Sequence, residues 1–433
     1  VKDFATSADP AVQAQLDRLA ALSVPDGRLG LETIRALLAR LGDPHKRLPP
    51  VLHVAGTNGK GSTCAFLRAM LEADGQRVHM TTSPHLVRYN ERIRVAGSLI
   101  SDERLAALLE EVLDAGRDLG PSFFEVTIAA AFMEFARVPA DVCIIEVGLG
   151  GRFDATNVIE NPFVSGIAAL GIDHERFLLA PEAGVPQIPL ARIAFEKAGI
   201  VKPGGSLVTL SYPPEAQAEI ERAAMAAGSP LAMRGRDWHS STTGIGLHYA
   251  DRDGELVLPL PTLPGPHQAE NAALAVAMLR HQDFVTVSRD AMAEGIRTAN
   301  WPARLQRLAP GTLRGSAAGD RPIWLDGGHN PSAGEALGRH FAGERLHLIV
   351  GMLDAKDPRA LTGPLAGSIA SLTVVPVPGH DCHPASAFGP EARPAADIPA
   401  ALAALPDDGL PVLVSGSLYL AGEVLRLNGT LPD

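Results

Sequence analysis

The chain has 433 residues, 46% hydrophobic and 20% charged, with a net charge of −11. That length exceeds one ordinary core and predicts two or three domains, while the acidic balance argues against a broad nucleic-acid footprint. The three cysteines, Cys64, Cys143 and Cys382, lack any CxxC or metal-knuckle spacing, no apolar run approaches a membrane span, and VKDFATSADP carries no signal core; a cytoplasmic, reduced setting with no membrane contact is expected.

Residues 1–50 read as helical, with Leu31, Ile34, Leu37, Leu38 and Leu41 along one apolar stripe that Gly42 and the following Asp-Pro stop. Next comes VLHVAGTNGKGST (51–63), a short apolar run, a glycine-dense turn and the start of a helix. Glycines let a backbone wrap an anion, and the first amides and dipole of a helix stabilise its charge. Lys60 would reach the outer phosphates, and a hydroxyl of Ser62 or Thr63 could approach magnesium. The ordinary Walker A spacing is not met, because Val54 stands where the first glycine belongs and Gly61 separates Lys60 from Ser62.

Apolar runs then recur at 78–82, 142–148, 164–170 and 206–210, alternating with helix-like stretches at 64–74, 102–115, 125–136 and 214–227. This alternation predicts a mostly parallel sheet with helices on both faces. Ligands of such sheets gather past the carboxyl ends of the strands. Ser83 stands there in TTSPHLVRYNERIRV (81–95), whose Arg88, Arg92 and Arg94 suit carboxylates or phosphates, or form a solvated basic loop. Glu146 ends an apolar strand in IIEVGLGGRFDATN, a costly place for a carboxylate unless it is paired or holds a metal; Asp154 and Asn157 follow it, and a capped turn is the alternative. His174 in GIDHERF could be a neutral imidazole ligand, with Asp173 orienting it or acting as a base. Ser83, Glu146 and His174 each follow a different strand, and two oxygens with one nitrogen make a plausible magnesium set when ATP and water complete it. Lys197 in ARIAFEKAGIVKPGG reads, by spacing alone, as a surface or salt-bridged lysine.

GLHYADRDGELVLPLP predicts a hairpin around an Asp-Gly turn, and HQAENAALAVAMLRH (267–281) a helix. The pattern breaks at 296–302, giving expected domains of 1–298 and 299–433. The second carries strands at 322–328, 346–352, 371–377 and 411–417, and a proline-rich loop at 376–394. Its WPARLQ, DGGHN and GMLDAKD segments offer Arg304, Asp326 and His329 as groups that could complete a nucleotide site from a separate domain. The fold class expected is α/β: an N-terminal P-loop-type domain with a mostly parallel sheet, and a smaller C-terminal Rossmann-like α/β domain.

HVAGTNGKGS, SPHLVRYNERIRV, EVGLGGRFDATN, DHE, IAFEKAGI, WPARLQ, DGGHN and GSLYLAGEV, spread over residues 30–425, together resemble the Mur ligase superfamily, and most closely its folate branch, the folylpolyglutamate synthases that are often also dihydrofolate synthases. The resemblance implies an ATP-dependent ligase joining L-glutamate to 7,8-dihydropteroate and to the γ-carboxylate of folate glutamates through an acyl phosphate. A polyglutamylase-only enzyme is the alternative; the SPHL-to-IRV segment argues against an amino-acid ligase on a peptidoglycan precursor. By position, Asn58, Gly59, Lys60, Gly61 and Ser62 would bind ATP phosphates, and Asn271, Arg304, Asp326 and His329 would also contact ATP. Ser83, Glu146 and His174 would hold magnesium, while a carbamate on Lys197 would stabilise a second ion; Lys60, His174 and Lys197 would be the catalytic set. Gly30, Leu31, Arg88, Phe124, Glu125 and Asp154 would line the pterin and glutamate sites. The family prior is a monomer with small-molecule partners only. The chain departs from the family pattern in a longer segment between His174 and Lys197, in Ala303 where glycine is usual, and in residues 378–390, which lack a short arginine motif.

Overall fold

The structure, a computed structural model, describes residues 5–22, 30–313 and 321–433. The expected helical stretch 1–50 therefore falls partly on residues 1–4 and 23–29, outside the described residues. Within it, helices run over Pro10–Ala20 and Glu32–Arg40, and Leu31, Ile34, Leu37 and Leu38 are buried as the stripe requires.

Two compact units form. The first holds Val1–Pro84, Tyr89–Thr262 and Gln268–Asn300; the second holds His85–Arg88, Leu263–His267 and Trp301–Asp433. The first unit carries β1 (Val51–Ala55), β2 (Val78–Thr81), β3 (Ile93–Val95), β4 (Ser98–Leu99), β5 (Val142–Glu146), β6 (Val164–Ile167), β7 (Ser206–Thr209) and β8 (Leu231–Met233). They join in the order β4-β3-β2-β5-β1-β6-β7-β8. From β2 through β8 every neighbouring pair is parallel, whereas β3 and β4 add an antiparallel edge. Every residue of β1 and of β5 is buried, which is why both read as continuous apolar runs rather than alternating ones.

Helix Phe123–Arg137 lies against β2 and β3 of this sheet, and Pro10–Ala20, Glu32–Arg40 and Asp102–Ala115 pack on that helix, their apolar residues forming one core cluster. Helix Phe123–Arg137 starts in a capping box, with the Ser122 side chain on the Glu125 amide and the Glu125 carboxylate on the Ser122 amide. On β6, Gly166 lies so close to the Met278 sulfur of helix Pro266–Arg280 that a Cβ there would displace it. The hairpin expected around Asp253 is present as β10 (Gly246–Asp251) and β11 (Gly254–Leu258), and an unforeseen strand, β9 (Trp238–Thr243), makes it a three-stranded sheet.

The second unit has β12 (Gln306–Arg307), β13 (Ile323–Leu325), β14 (Leu346–Val350), β15 (Ile369–Val374), β16 (Arg393–Pro394) and β17 (Val412–Ser415), ordered β12-β13-β17-β14-β15-β16. All pairs but β12–β13 are parallel. Residues 85–88 belong to this unit's packing: Leu86 and Val87 lie against its core, and Gly422 leaves room for the Leu86 carbonyl. The proline-rich segment 376–394 is not wholly a loop, since it forms a short 3-10 helix at Ala385–Phe388 and ends in β16. Among the described residues no helix is long and apolar enough to cross a membrane.

Candidate active site

The parallel arrangement puts the carboxyl ends of β1, β2, β5 and β6 on one edge of the first unit. The segments that follow these strands carry most of the residues singled out in the sequence. After β1 the chain turns through Gly56 (φ 151) and Gly59 (φ 85), the latter starting helix Lys60–Ala73 with no side-chain cap. Its first amides are therefore presented to the turn, as an anion cradle requires. The amides of Thr57 and Asn58 donate to the Ala169 carbonyl at 2.8 and 3.2 Å, and Thr57 Oγ1 donates to the Gly171 carbonyl at 2.9 Å. These bonds tie the turn to the segment after β6. Lys60 Nζ folds back onto the Gly56 carbonyl at 3.1 Å. Asn271, buried on helix Pro266–Arg280, presents its Oδ1 so closely to Gly59 that a Cβ there would collide with it. Asn58, Gly59, Lys60, Gly61, Ser62 and Asn271 are thus gathered around one turn.

The Ser83 amide donates to Glu146 Oε2 at 3.3 Å, so the ends of β2 and β5 meet through two of the expected metal ligands. Glu146 is buried. His174 is exposed and sits at φ 53 before helix Glu175–Leu178, its amide donating to Asp173 Oδ1 at 2.7 Å. No cluster of three or more His, Cys, Asp or Glu able to hold a metal exists among the described residues. A buried carboxylate beside a serine nevertheless fits magnesium, an ion that is held by one or two carboxylates and takes its remaining ligands from phosphates and water.

Lys197 is buried on helix Pro189–Ala198, so the surface-lysine reading is corrected. Desolvation, followed by the charge of Lys60, pushes its amine down to about 7, while Asp173, Asp154 and Glu196 pull the other way. The turn after β5 lies directly on the end of this helix: a Cβ on Gly151 would meet the Glu196 carbonyl at 2.7 Å and the Lys197 carbonyl at 2.9 Å. Asp154 shapes that turn, accepting from the Leu149 amide at 2.7 Å and from Thr156 Oγ1 at 2.6 Å. Thr156 Oγ1 lies 2.9 Å from His53 Nε2, whose ring burial pushes down to about 3, so the imidazole is neutral. The hydrogen bonds of Asp154 therefore order the turn around Lys197.

Other expected substrate residues have structural partners. Leu31 is in the core, and Gly30 packs on the Glu32 carboxylate. Glu125 is engaged in the capping box, with Oε2 at 2.8 Å from both the Ser122 amide and hydroxyl. Phe124 lies tightly over Gly148 in the turn after β5. Arg88 belongs to the second unit, where Nη2 donates to the Pro432 carbonyl at 3.0 Å. The basic segment 88–94 is neither a solvated loop nor an open anion site throughout: Arg92 is buried over the Tyr89 and Phe123 rings, and Arg94 Nη1 donates to the Gly97 carbonyl at 2.8 Å.

In the second unit the Asp326 carboxylate joins two turns, accepting from the Leu305 amide at 2.8 Å and the Gly328 amide at 2.7 Å. The Gly327 amide donates to the Ala303 carbonyl at 3.0 Å, and His329 Nδ1 lies 2.9 Å from the Gly327 carbonyl. Arg304 stands between Ala303 (φ 58) and Leu305 (φ 46), both left-handed, which explains why glycine suits position 303. Arg304, Asp326 and His329 are thus parts of one pair of turns.

No family model matches the chain. It is 33% identical over 434 residues to the dihydrofolate synthase/folylpolyglutamate synthase of Bacillus subtilis, across 92% of this chain and 94% of that protein. In structure it is similar to Escherichia coli FolC in complex with DHPP and ADP, with TM-score 0.83 and 31% identity over 98% of this chain and 99% of that one. A similar likeness, TM-score 0.83 at 29% identity over 98% and 99%, holds to the bifunctional folylpolyglutamate synthase/dihydrofolate synthase of Yersinia pestis complexed with AMPPNP and Mn ion. A mostly parallel sheet of this order with its glycine turn, together with one-third identity and a shared fold over nearly the whole length of such relatives, places the chain in the dihydrofolate synthase/folylpolyglutamate synthase family.

Proposed function

We propose that the chain is an ATP-dependent ligase that joins L-glutamate to 7,8-dihydropteroate and to the γ-carboxylate of folate glutamates. A substrate carboxylate oxygen attacks the γ-phosphorus of ATP, the bond to the β-bridging oxygen breaks, and an acyl phosphate and ADP result. The amine of glutamate then attacks the acyl carbon, loses a proton and expels inorganic phosphate. The amide is uphill from the free carboxylate, so the first step is what requires ATP.

The observation that carries this reading is the meeting, on one edge of the parallel sheet, of the Gly56–Ser62 turn with the Ser83–Glu146 pair. In it, the amides at the start of helix Lys60–Ala73 hold phosphate, and Lys60 exchanges its loop carbonyls for phosphate oxygens. Asn271 orients the turn at Gly59, and Arg304, Asp326 and His329 would contact the nucleotide, as the sequence resemblance implies. Ser83, Glu146 and His174 would hold magnesium, which when bound offsets charge on the transferring phosphoryl group. Lys197 would take up carbon dioxide: its neutral amine attacks the carbon, releases one proton to water and becomes a carbamate anion. The depressed amine supports this, because an ammonium is no nucleophile. Phe124 over Gly148 gives an apolar wall for a pterin ring. Small molecules are the proposed partners, with a monomer in the cytoplasm as the working state.

ATP-dependent incorporation of labelled glutamate, with 7,8-dihydropteroate and tetrahydrofolate supplied separately, tests the reading. Product with both is expected. Product with tetrahydrofolate alone would reduce the enzyme to a polyglutamylase, and no product with either would overturn the assignment.

A further inference from the structure

The segment between His174 and Lys197 carries Glu182 to a specific place. Arg152 Nη1 and Nη2 donate to the two Glu182 oxygens at 3.0 and 2.6 Å, and Arg192 Nη2 donates to Glu182 Oε2 at 2.7 Å. The same guanidiniums hold Glu196, Arg152 through Nε and Nη2 at 3.1 and 2.8 Å and Arg192 through Nη2 at 3.0 Å. Two cations and two anions therefore alternate in a closed ring. Its inner members are buried, with the Arg192 and Glu196 side chains each 6% exposed. Arg192 Nε also donates to the Leu178 carbonyl at 3.1 Å, which fixes the start of the segment. The Phe195 ring lies beside both guanidiniums.

Glu196 is the residue before Lys197, and the Arg152 amide donates to the Glu196 carbonyl at 2.7 Å. The ring thus grips the turn of helix from which the Lys197 side chain departs. We infer that Glu182 is a positioning residue for Lys197, its carboxylate aligning Arg152 and Arg192 so that the Glu196–Lys197 turn is held against the Gly151–Arg152 turn. Bidentate pairing fixes orientation as well as charge, and without Glu182 two guanidiniums compete for the single Glu196 carboxylate. This rests on the carbamate reading of Lys197, in which a small displacement of the amine lowers the fraction carrying carbon dioxide.

The test is carbon-13 NMR of the full chain equilibrated with carbon-13 bicarbonate, on wild type, Lys197→Ala and Glu182→Gln, with thermal unfolding of each. Expected are a carbamate resonance in wild type, none in Lys197→Ala, and about a tenfold higher bicarbonate requirement in Glu182→Gln, the scale of losses from groups that orient a ligand. Thermal unfolding of Glu182→Gln reads the structural cost separately, since Arg192, 6% exposed, loses one of its two carboxylate partners. The sign is diagnostic. Removing a negative charge by itself favours the carbamate anion, so an unchanged or lower bicarbonate requirement overturns the positioning role. Should Glu182→Gln not fold, Glu182→Asp, which keeps the charge and shortens the reach, is read by the same criterion. No resonance in wild type overturns the carbamate reading and this inference with it.

Discussion

Lys197 is where burial does most to chemistry. Its amine is pushed down to about 7 by desolvation and by Lys60, so it is partly neutral at physiological pH. An unfolded chain returns the lysine to its ordinary value of 10.5, binding the proton more tightly than the folded chain between about pH 7 and 10.5. Stability attributable to this group therefore rises with pH across that window. Replacing Lys197 with Met should raise the melting temperature at pH 6–7, with about 2–4 °C gained per kcal/mol, and the advantage should shrink toward pH 10. Turnover should fall at the same time. Calorimetry of both proteins at several pH values, with glutamate incorporation alongside, checks the pair of effects; a Met variant that melts lower at pH 6 would contradict the burial argument. From the sequence, IAFEKAGI pointed to this lysine only through a resemblance, because spacing carries no record of how deeply a side chain is enclosed. Arg92 teaches the same lesson in reverse. Its charge read as a ligand site or a wet loop, whereas it lies buried on two rings.

A helix start and a turn bear on how the candidate site is held. The helix Phe123–Arg137 begins with Ser122 and Glu125 in reciprocal bonds, a role that the Ser-x-x-Glu spacing could have revealed before any substrate role was considered. Ser122→Ala should cost about 1 kcal/mol of stability and leave the KM for dihydropteroate unchanged. Glu125→Gln, which can keep the reciprocal bonds, should leave both quantities near wild type. A raised KM at unchanged melting temperature in Glu125→Gln would give Glu125 a substrate contact besides its capping bonds. At the turn after β5, the atoms that a Gly151 side chain would meet are all backbone of Glu196 and Lys197, so they cannot swing aside. Gly151→Ala should lose about 1–3 kcal/mol as the turn lifts from the helix, and thermal unfolding with a rate assay reads both losses. The long buried strands and the glycine turn before helix Lys60–Ala73 were legible because an apolar run and a glycine cluster are local signals. The two-residue edge strand β4, its neighbour β3 and the ring around Glu182 were not, since each is defined by pairing rather than by a local run of residues.

Within the first unit, the proposed phosphate and metal contacts come from segments at the ends of several strands of one sheet. Nucleotide with magnesium should therefore stabilise the folded chain, by about 2.7 kcal/mol at a hundredfold excess over the dissociation constant. Lys60→Ala should abolish most of that gain, and chelation of the metal should reduce it in wild type. A thermal-shift titration with ADP, with and without magnesium, is sufficient, and an equal shift for Lys60→Ala would count against the phosphate role of Lys60.

Residues 85–88 pack within the second unit although they leave the first unit's β2 early in the chain. A fragment beginning at Trp301 would lack Leu86 and Val87 from its own interior, and would leave beside Gly422 the space that the Leu86 carbonyl fills. The halves are consequently not interchangeable cassettes. A chimera built by grafting the carboxy-terminal half of a relative at this junction inherits a seam inside its core, and must carry the matching four-residue strip from the distant amino-terminal half to close it.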